Sequence, residues 1–255
     1  MKILVAVKQV PERDAPVHVA ADGKRMDDAD VSWTINEPDA YALEEALRLK
    51  ETAGAGEVIV MCAGPARVLS TLREALAKGA DRAVHVEAED LQERDTLQLA
   101  GMLAEAVKAE APDLVLTGLQ SDDLGLGQTG VVMAELLGFP CATIIKQVEA
   151  AGGGVKVKRE LEDGWFQHVE MPLPALLTIQ SGGNKLRYAT LMGIKKAKSK
   201  ETKTVTPSAA AGAKAVEMER VYLPDKVKKT EMLTGTAAEV AAQIVEKLRF
   251  EVRVL

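Results

Sequence analysis

The sequence is poor in aromatic residues, which make up 3% of its 255 positions. This scarcity argues against a surface that stacks nucleic-acid bases, because such surfaces need exposed aromatic rings. The formal net charge of −6 argues the same way, since neutralising phosphates requires an excess of basic residues. No binding to nucleic acid is therefore predicted. Hydrophobic residues make up 47%, mostly alanine, valine and leucine, a mixture that favours helices packed on buried parallel strands.

Cysteines and long apolar runs are also scarce. The two cysteines, Cys62 and Cys141, are far apart and match no zinc-binding spacing. Both lie in apolar runs typical of strands, so we expect them to be reduced residues of the core. No apolar run reaches the roughly 18 residues that a membrane-spanning helix needs. The first residues are typical of a strand and not of a targeting segment, so a cytoplasmic protein is predicted.

Residues that would perform chemistry are few. The three histidines, His18, His85 and His168, lie in different segments, and none has a matching nucleophile nearby in the sequence. The P-loop pattern G-x-x-x-x-G-K-[ST] of many ATPases does not occur. We therefore expect structural histidines and a protein without catalytic residues of its own.

The first 150 residues contain a regular alternation of strand and helix patterns. Short apolar runs, typical of strands buried on both faces, lie at 3–7, 58–62, 83–86, 114–117 and 142–145. Helical patterns separate them at 37–50, 65–78, 96–109 and 130–137. Asn36 is predicted to cap the first helix. The alternation predicts an α/β fold with a parallel sheet covered on both faces.

The pattern changes after Ala150. Period-two alternation at 155–161 and strand-like runs at 166–169 and 175–179 predict an antiparallel extension of the sheet. A lysine-rich segment follows at 195–203.

The C-terminal part of the chain has a different composition from the rest. Residues 207–215 are typical of an Ala/Gly/Ser linker, and they precede a strand-like run at 216–223 and an amphipathic helix at 236–248. We predict a core domain over 1–203 and an arm over 204–255 that is too short to fold alone.

A glycine-rich loop, residues 118–129, follows the fourth predicted strand. Residues 125–130 read GLGQTG and match the dinucleotide-binding pattern G-x-G-x-x-G, but that pattern belongs directly after the first strand of its fold. We therefore discount a simple dehydrogenase with bound NAD. Small residues at the start of a helix still let the backbone approach a phosphate. Gly127, Gln128 and Thr129 would supply N–H donors there; a purely structural loop is the alternative interpretation.

Ligands of open parallel sheets bind beyond the carboxyl ends of the strands. This rule brings four residues close to one crevice beside the glycine-rich loop: Ala6, Asn36, Ala63 and Gly118. Asp122 and Asp123 would either accept hydrogen bonds from ribose hydroxyls or cap the loop. The sequence thus predicts a nucleotide site at this edge of the sheet.

The most specific segment is 157–200, which reads VKRELEDGWFQHVEMPLPALLTIQSGGNKLRYATLMGIKKAKSK. It resembles the signature of the beta subunit of electron-transfer flavoproteins, which has an R-E-L/I-(D/E)-x-G hairpin, then L-P-A-x-x-T, N-x-x-R-Y-A-T-L and a lysine run. Supporting matches are MKILVAVKQV at the start, EEALRLKE in the first helix, GADRAVHV in the third strand and GQTGVVMAELLG after the glycine-rich loop. The resemblance covers essentially residues 1–203.

The resemblance implies a flavodoxin-like or adenine-nucleotide-hydrolase-like α/β domain that holds a structural AMP. It also implies an alpha subunit that carries the redox FAD, with the C-terminal arm packing on that subunit. The heterodimer would accept electrons from acyl-CoA or other flavin dehydrogenases and pass them to a membrane quinone oxidoreductase. Carried over residue by residue, the AMP contacts fall on Ala6, Asn36, Asp39, Ala63, Gly118, Gln120, Asp122, Asp123, Gly127, Gln128 and Thr129.

The resemblance also implies a loop at 188–200 that docks partner dehydrogenases, with Leu191 as its apolar anchor. The other docking residues are Tyr188, Met192, Ile194 and Lys196. An exposed leucine among lysines suits an acidic partner that offers an apolar pocket. The alternative is a solvated basic face beside an ordinary core leucine.

Arg13 lies where some members of that family place a tyrosine near the flavin. We expect its charge to stabilise a reduced, anionic flavin across the subunit interface.

Two alternative functions remain open at this point. Bifurcating members of the family carry a second FAD in place of AMP, although the loop sequence SDDLGLGQTGV is closer to the AMP type. A stand-alone adenine-nucleotide enzyme or stress-type nucleotide binder would share the architecture. Such a protein, however, has no need of the hairpin, the lysine-bearing loop and the arm that follow Ala150.

Overall fold

The computed structural model describes residues 1–208, 214–224 and 230–254. The chain divides into two compact units, Met1–Val221 and Tyr222–Leu255. The strands are β1 (Lys2–Ala6), β2 (Gln9–Pro11), β3 (His18–Val19), β4 (Met26–Asp27), β5 (Trp33–Ile35), β6 (Glu57–Gly64), β7 (Arg82–Glu87), β8 (Leu114–Gly118), β9 (Cys141–Ala151), β10 (Gly154–Glu160), β11 (Phe166–Pro172), β12 (Ala175–Ile179) and β13 (Thr202–Val205). The helices are α1 (Glu37–Ala53), α2 (Leu69–Lys78), α3 (Thr96–Glu110), α4 (Thr129–Leu137), α5 (Leu191–Ala197) and α6 (Ala237–Lys247).

Nine strands of the first unit form one sheet in the order β11-β10-β9-β12-β8-β1-β6-β7-β13. From β9 to β13 in this order neighbouring strands are parallel, whereas β10 and β11 form an antiparallel hairpin at the β9 edge. The predicted α/β class, the five predicted strands of the first 150 residues and the hairpin are therefore confirmed.

Apolar side chains cover the sheet on both faces. One buried cluster joins the strands to α1, α2 and Ala197 of α5, and a second joins the opposite face to α3 and α4. In β1 the consecutive residues Ile3, Leu4 and Val5 are all buried, because alternate side chains point to opposite faces and both faces are covered. The continuous apolar run of the sequence reflects this double burial.

The prediction that 175–179 belongs to the antiparallel extension is wrong. β12 runs parallel to both β8 and β9 and lies between them. All five of its residues are buried. A strand covered on both faces has no period-two pattern to distinguish its direction, so this placement depends on the topology of the whole sheet.

Two further predictions differ from the structure, and one strand was not predicted. Residues 216–223 form no strand in the described part of the chain; the Asp95 carboxylate accepts the backbone N–H of Val216, and the Gly23 carbonyl accepts that of Val221. Cys141 is exposed at the start of β9, whereas Cys62 is buried as predicted. The end of the lysine-rich segment leads into β13, the parallel partner of β7, which the sequence pattern did not indicate.

The second unit contains α6, in agreement with the amphipathic helix predicted at 236–248. Thr236 and Glu239 cap its start through a reciprocal capping box, and the ammonium of Lys247 pairs with the carboxylates of Glu231 and Glu251. The predicted linker at 207–215 lies partly outside the described residues. Within the described ranges, no helix combines the length and the apolar character needed to cross a membrane.

Candidate functional site

The order of the strands creates a crevice at one edge of the sheet. From β1 the chain builds β6 and β7 on one side, and it then returns to place β8 on the other side of β1. β1 and β8 diverge into separate loops at their carboxyl ends, next to the paired residues Ala6 and Thr117. Such a switch point is where ligands bind in doubly wound folds. Ala63, near the end of the neighbouring strand β6, lies at the same edge.

Asp39, in the first turn of α1, joins the two strands that border this crevice. Its carboxylate accepts the backbone N–H of Lys8, beyond β1, and that of Gly118, at the end of β8, each at 2.7 Å. Burial raises the pKa of Asp39 to about 6, against the opposing effect of these two backbone hydrogen bonds. A side chain at Gly118 would overlap the Asp39 carboxylate, so only glycine permits this close approach.

Asn36 connects the same helix to the glycine-rich loop. Its side-chain amide donates to the carbonyl of Gln120 at 3.0 Å, and its oxygen accepts the N–H of Asp122 at 2.9 Å. The position of Asn36 before α1 agrees with the prediction, but its side chain does not cap the helix. Asp122 performs that role, because its carboxylate accepts the N–H of Glu37 at 3.1 Å.

Asp123 forms an ion pair with Lys8 across the mouth of the crevice. The Lys8 ammonium lies 2.7 Å from both carboxylate oxygens of Asp123 and also donates to the Ser121 hydroxyl at 3.4 Å. Burial acts to raise the pKa of Asp123, but the charge and hydrogen bonds of Lys8 outweigh it and hold this pKa below its usual value. The Asp122 carboxylate thus connects the loop to α1, and the Asp123 carboxylate connects it to Lys8. A ribose contact by either one stays a prediction.

The second half of the loop leads into α4. Gly125 and Gly127 both have a φ of 63°, in the left-handed region that glycine adopts without strain. Gln128 and Thr129 follow at the start of α4, where the first N–H groups of a helix have no intrahelical acceptor. This arrangement suits an anionic group such as a phosphate.

The structure brings most of the predicted nucleotide residues to this one edge. Sequence reasoning missed Lys8, although the carboxyl-end rule applies to it, because it lies two residues beyond the end of β1. Its pairing with Asp123 joins residues 115 positions apart, and no local pattern indicates such a contact.

Because Asp39 has a raised pKa, its contribution to the stability of the folded chain should depend on pH. Because the folded-state pKa of about 6 lies above the ordinary value of 3.8, its contribution to stability is full below 3.8 and is lost as the pH rises through 6. Between pH 7 and pH 4 the full chain should gain about 2 kcal/mol from this group relative to Asp39→Asn, which does not titrate. Urea unfolding of both proteins across this range measures the difference. A difference that is independent of pH would contradict the assignment.

The predicted docking residues lie on a second surface, the docking segment (188–200). It contains the short helix α5 and is not purely a loop, and the hydroxyl of Thr190 caps this helix by accepting the N–H of Gly193 at 3.0 Å. Tyr188 is 91% exposed and Leu191 is 86% exposed, so Leu191 is not an ordinary core leucine. The exposed residues Met192, Ile194 and Lys196 complete a surface that is both apolar and basic.

Arg13 lies on the exposed chain after β2, apart from both of these surfaces in the sequence. Its guanidinium is 81% exposed and pairs with the Glu37 carboxylate at 2.5 Å, at the start of α1. His85 is buried, and its Nε2 is hydrogen-bonded to the carbonyl of Gly64 at 2.8 Å.

Comparison with known proteins identifies the family. Residues 24–210 match the family model described as the electron transfer flavoprotein domain. The chain is 39% identical to the electron transfer flavoprotein subunit beta of Methylophilus methylotrophus over 257 aligned positions, which cover 96% of this chain and 97% of the relative. It is 39% identical to the mitochondrial subunit beta of Oryza sativa subsp. japonica, with both chains covered completely. It is 35% identical to the human subunit beta, covering 98% of this chain and 97% of the relative. The chain therefore belongs to the electron transfer flavoprotein family, among its beta subunits.

Proposed function

We propose that this chain is the beta subunit of a heterodimeric electron carrier and that it holds a structural AMP in the crevice between β1 and β8. The observation that supports this proposal is the network of hydrogen bonds and one ion pair at that crevice. In this network, Asn36, Asp39 and Lys8 fix the first half of the glycine-rich loop. The second half of the loop starts from this fixed half and leads to the N–H groups at the start of α4.

The residues present fit a mononucleotide. The N–H groups of Gln128 and Thr129 suit its phosphate, and the strand ends beside them carry only the small residues Ala6, Ala63 and Gly118. The chain's own role at this site is binding and orientation, and no acid–base or nucleophilic group is required of it. The proposed role of AMP is therefore structural: it would stabilise the folded subunit.

The alpha subunit would carry the FAD that accepts and releases electrons, and this chain would help to enclose it. The second unit supports such a partner, because Ile244, Val245 and Phe250 are exposed apolar residues on and after α6. Apolar side chains on one face of a helix are suited to packing against another protein surface. The arm would in this way pack on the alpha subunit.

The docking segment would receive acyl-CoA or other flavin dehydrogenases, and the reduced heterodimer would deliver electrons to a membrane quinone oxidoreductase. Leu191 would fill an apolar pocket of the dehydrogenase while the lysines of α5 attract an acidic rim. A cytoplasmic location stays a prediction from the sequence.

Arg13 gives the proposed interface a specific test. Replacing it with alanine removes a positive charge, so the midpoint potential of the flavin in the heterodimer should fall, because the reduced anion loses an attractive partner. Arg25→Ala is a suitable control, since Arg25 is also an exposed arginine paired with a nearby carboxylate, that of Asp22. An unchanged potential in Arg13→Ala would rule out this role.

Reconstitution tests the proposed function as a whole. The chain is coexpressed with its alpha subunit, and the purified heterodimer is mixed with an acyl-CoA dehydrogenase and its substrate under anaerobic conditions. Bleaching of the heterodimer's flavin absorbance is expected, whereas this chain purified alone should accept no electrons. Failure to form a complex, or a complex without flavin, would favour the stand-alone nucleotide binder.

A further inference from the structure

The docking segment is fastened to the α/β domain at both of its ends. On the N-terminal side, the guanidinium of Arg187 bonds both oxygens of Glu44, at 2.8 and 2.9 Å, and both oxygens of Glu51, at 2.6 and 3.0 Å. These glutamates are seven positions apart on α1, so they lie on one face of that helix. One planar guanidinium therefore connects the segment to two turns of α1.

The two carboxylates differ in their surroundings. The side chain of Glu44 is 7% exposed, whereas that of Glu51 is 59% exposed. Asn184 adds a further bond to the same helix, because its amide donates to the Glu45 carboxylate at 2.9 Å. The arrangement of Arg187, Glu44 and Glu51 is called the arginine latch below.

On the C-terminal side, Lys200 holds the segment to the end of α2. Its ammonium donates to the carbonyl oxygens of Leu76, at 2.9 Å, and of Ala80. Between the two fastenings, a side chain at Gly193 would overlap the Ala77 carbonyl, so α5 lies directly against α2. The backbone that carries the exposed apolar residues is thus held by three contacts, at Arg187, Gly193 and Lys200.

We infer that Arg187 is a positioning residue for electron transfer: its latch to Glu44 and Glu51 holds Leu191 and its exposed neighbours in the arrangement that the electron-donating dehydrogenase binds. This inference rests on the proposed docking function. A segment that is ordered in advance loses less conformational entropy when its partner binds, and its affinity is correspondingly higher.

A lysine in place of Arg187 is not equivalent. It retains the charge, but a single ammonium does not reproduce the fork that contacts two carboxylates in a plane. We therefore expect Arg187→Lys to lie between the native protein and Arg187→Gln in every measurement below.

The experiment uses the heterodimer with its flavin bound. Four variants are compared with the native complex: Arg187→Gln, Arg187→Lys, Glu51→Gln and the control Arg94→Gln, which removes an arginine–aspartate pair with Asp90 elsewhere on the surface. Glu51→Gln keeps the test valid if Arg187→Gln folds poorly, because Glu51 is exposed and its loss leaves no buried charge unpaired. Amide hydrogen exchange and steady-state kinetics with an acyl-CoA dehydrogenase are measured for each complex.

We expect exchange of the docking-segment amides to become about tenfold faster in Arg187→Gln, the change produced by losing a hydrogen bond to a charged group. Exchange in the strands and in the glycine-rich loop should not change. The KM for the heterodimer as electron acceptor should rise by a similar factor, while kcat stays constant. Glu51→Gln should show a smaller change in the same direction, and Arg94→Gln none.

Two results would overturn the inference. One is exchange in the docking segment that does not respond to loss of the latch, and the other is faster exchange without a rise in KM. Leu191→Ala separates this failure from failure of the docking proposal. If Leu191→Ala raises KM and Arg187→Gln does not, only the positioning role is wrong; if neither raises KM, the docking surface itself is wrong.

Discussion

Gly118→Ala is expected to lower the free energy of unfolding of the full chain by about 3 kcal/mol and to abolish nucleotide retention. A Cβ at this position would lie against the Asp39 carboxylate, 2.7 Å from the Pro38 Cβ and 2.8 Å from the Asp39 backbone nitrogen. The Asp39 carboxylate is held by the backbone N–H groups of Lys8 and Gly118, and the other two atoms belong to the first turn of α1, so none of the three can move away freely. The overlap therefore forces the end of β8 away from α1 and breaks the hydrogen bond that joins them. Urea denaturation and the nucleotide content of the purified protein measure the two effects.

Gly152→Ala is the matched control for this substitution. Gly152 lies in the turn between β9 and β10 with a φ of 53°, and open space surrounds the position of its Cβ. Only the strain of a left-handed residue is introduced there, which costs about 1–2 kcal/mol. A loss of stability in Gly118→Ala no larger than that of Gly152→Ala, together with normal nucleotide content, would contradict the close packing inferred at the crevice.

Leu191→Ala is expected to raise the KM for the heterodimer as electron acceptor about 30-fold, as loss of a central apolar anchor does in other protein interfaces. The stability of the chain should not change, because the Leu191 side chain is almost fully exposed and contributes little to the core. Steady-state assays with an acyl-CoA dehydrogenase measure KM, and chemical reduction of the flavin by dithionite provides a measure of electron acceptance that is independent of docking.

Leu97→Ala serves as the control for Leu191→Ala. Leu97 is also a partly exposed leucine, in the first turn of α3, and it lies outside the docking segment. Its replacement should leave KM unchanged. Equal effects of the two substitutions on KM would mean that general surface hydrophobicity, and not a docking anchor, determines how strongly the carrier binds its electron donors.

Much of the parallel sheet could be predicted because strands buried on both faces produce continuous apolar runs. The run in β1 and the run in β8 are both of this kind, and the position of the crevice follows from the rule that ligands bind at the carboxyl ends of strands. The direction of β12 could not be predicted in the same way. A fully buried strand has the same pattern in either direction, and only pairing with β8 and β9 fixes it.

The detailed roles of the polar residues were less accessible to sequence reasoning. Asn36 before a helix is a typical capping pattern, yet its side chain spans to the backbone of residues more than 80 positions away. The arginine latch likewise joins Arg187 to Glu44 across 143 positions. Local patterns indicate which residues are polar at the ends of elements, but the partners of those residues are determined by the tertiary fold.

The most direct test of the proposed function is identification of the nucleotides released when the purified native heterodimer is denatured. Chromatography and absorbance should show one FAD and one AMP per heterodimer, as expected for a simple electron carrier whose beta subunit holds AMP between β1 and β8. Two FAD without AMP would contradict the AMP assignment and indicate a bifurcating carrier. Absence of flavin would contradict the electron-carrier function of the assembled complex.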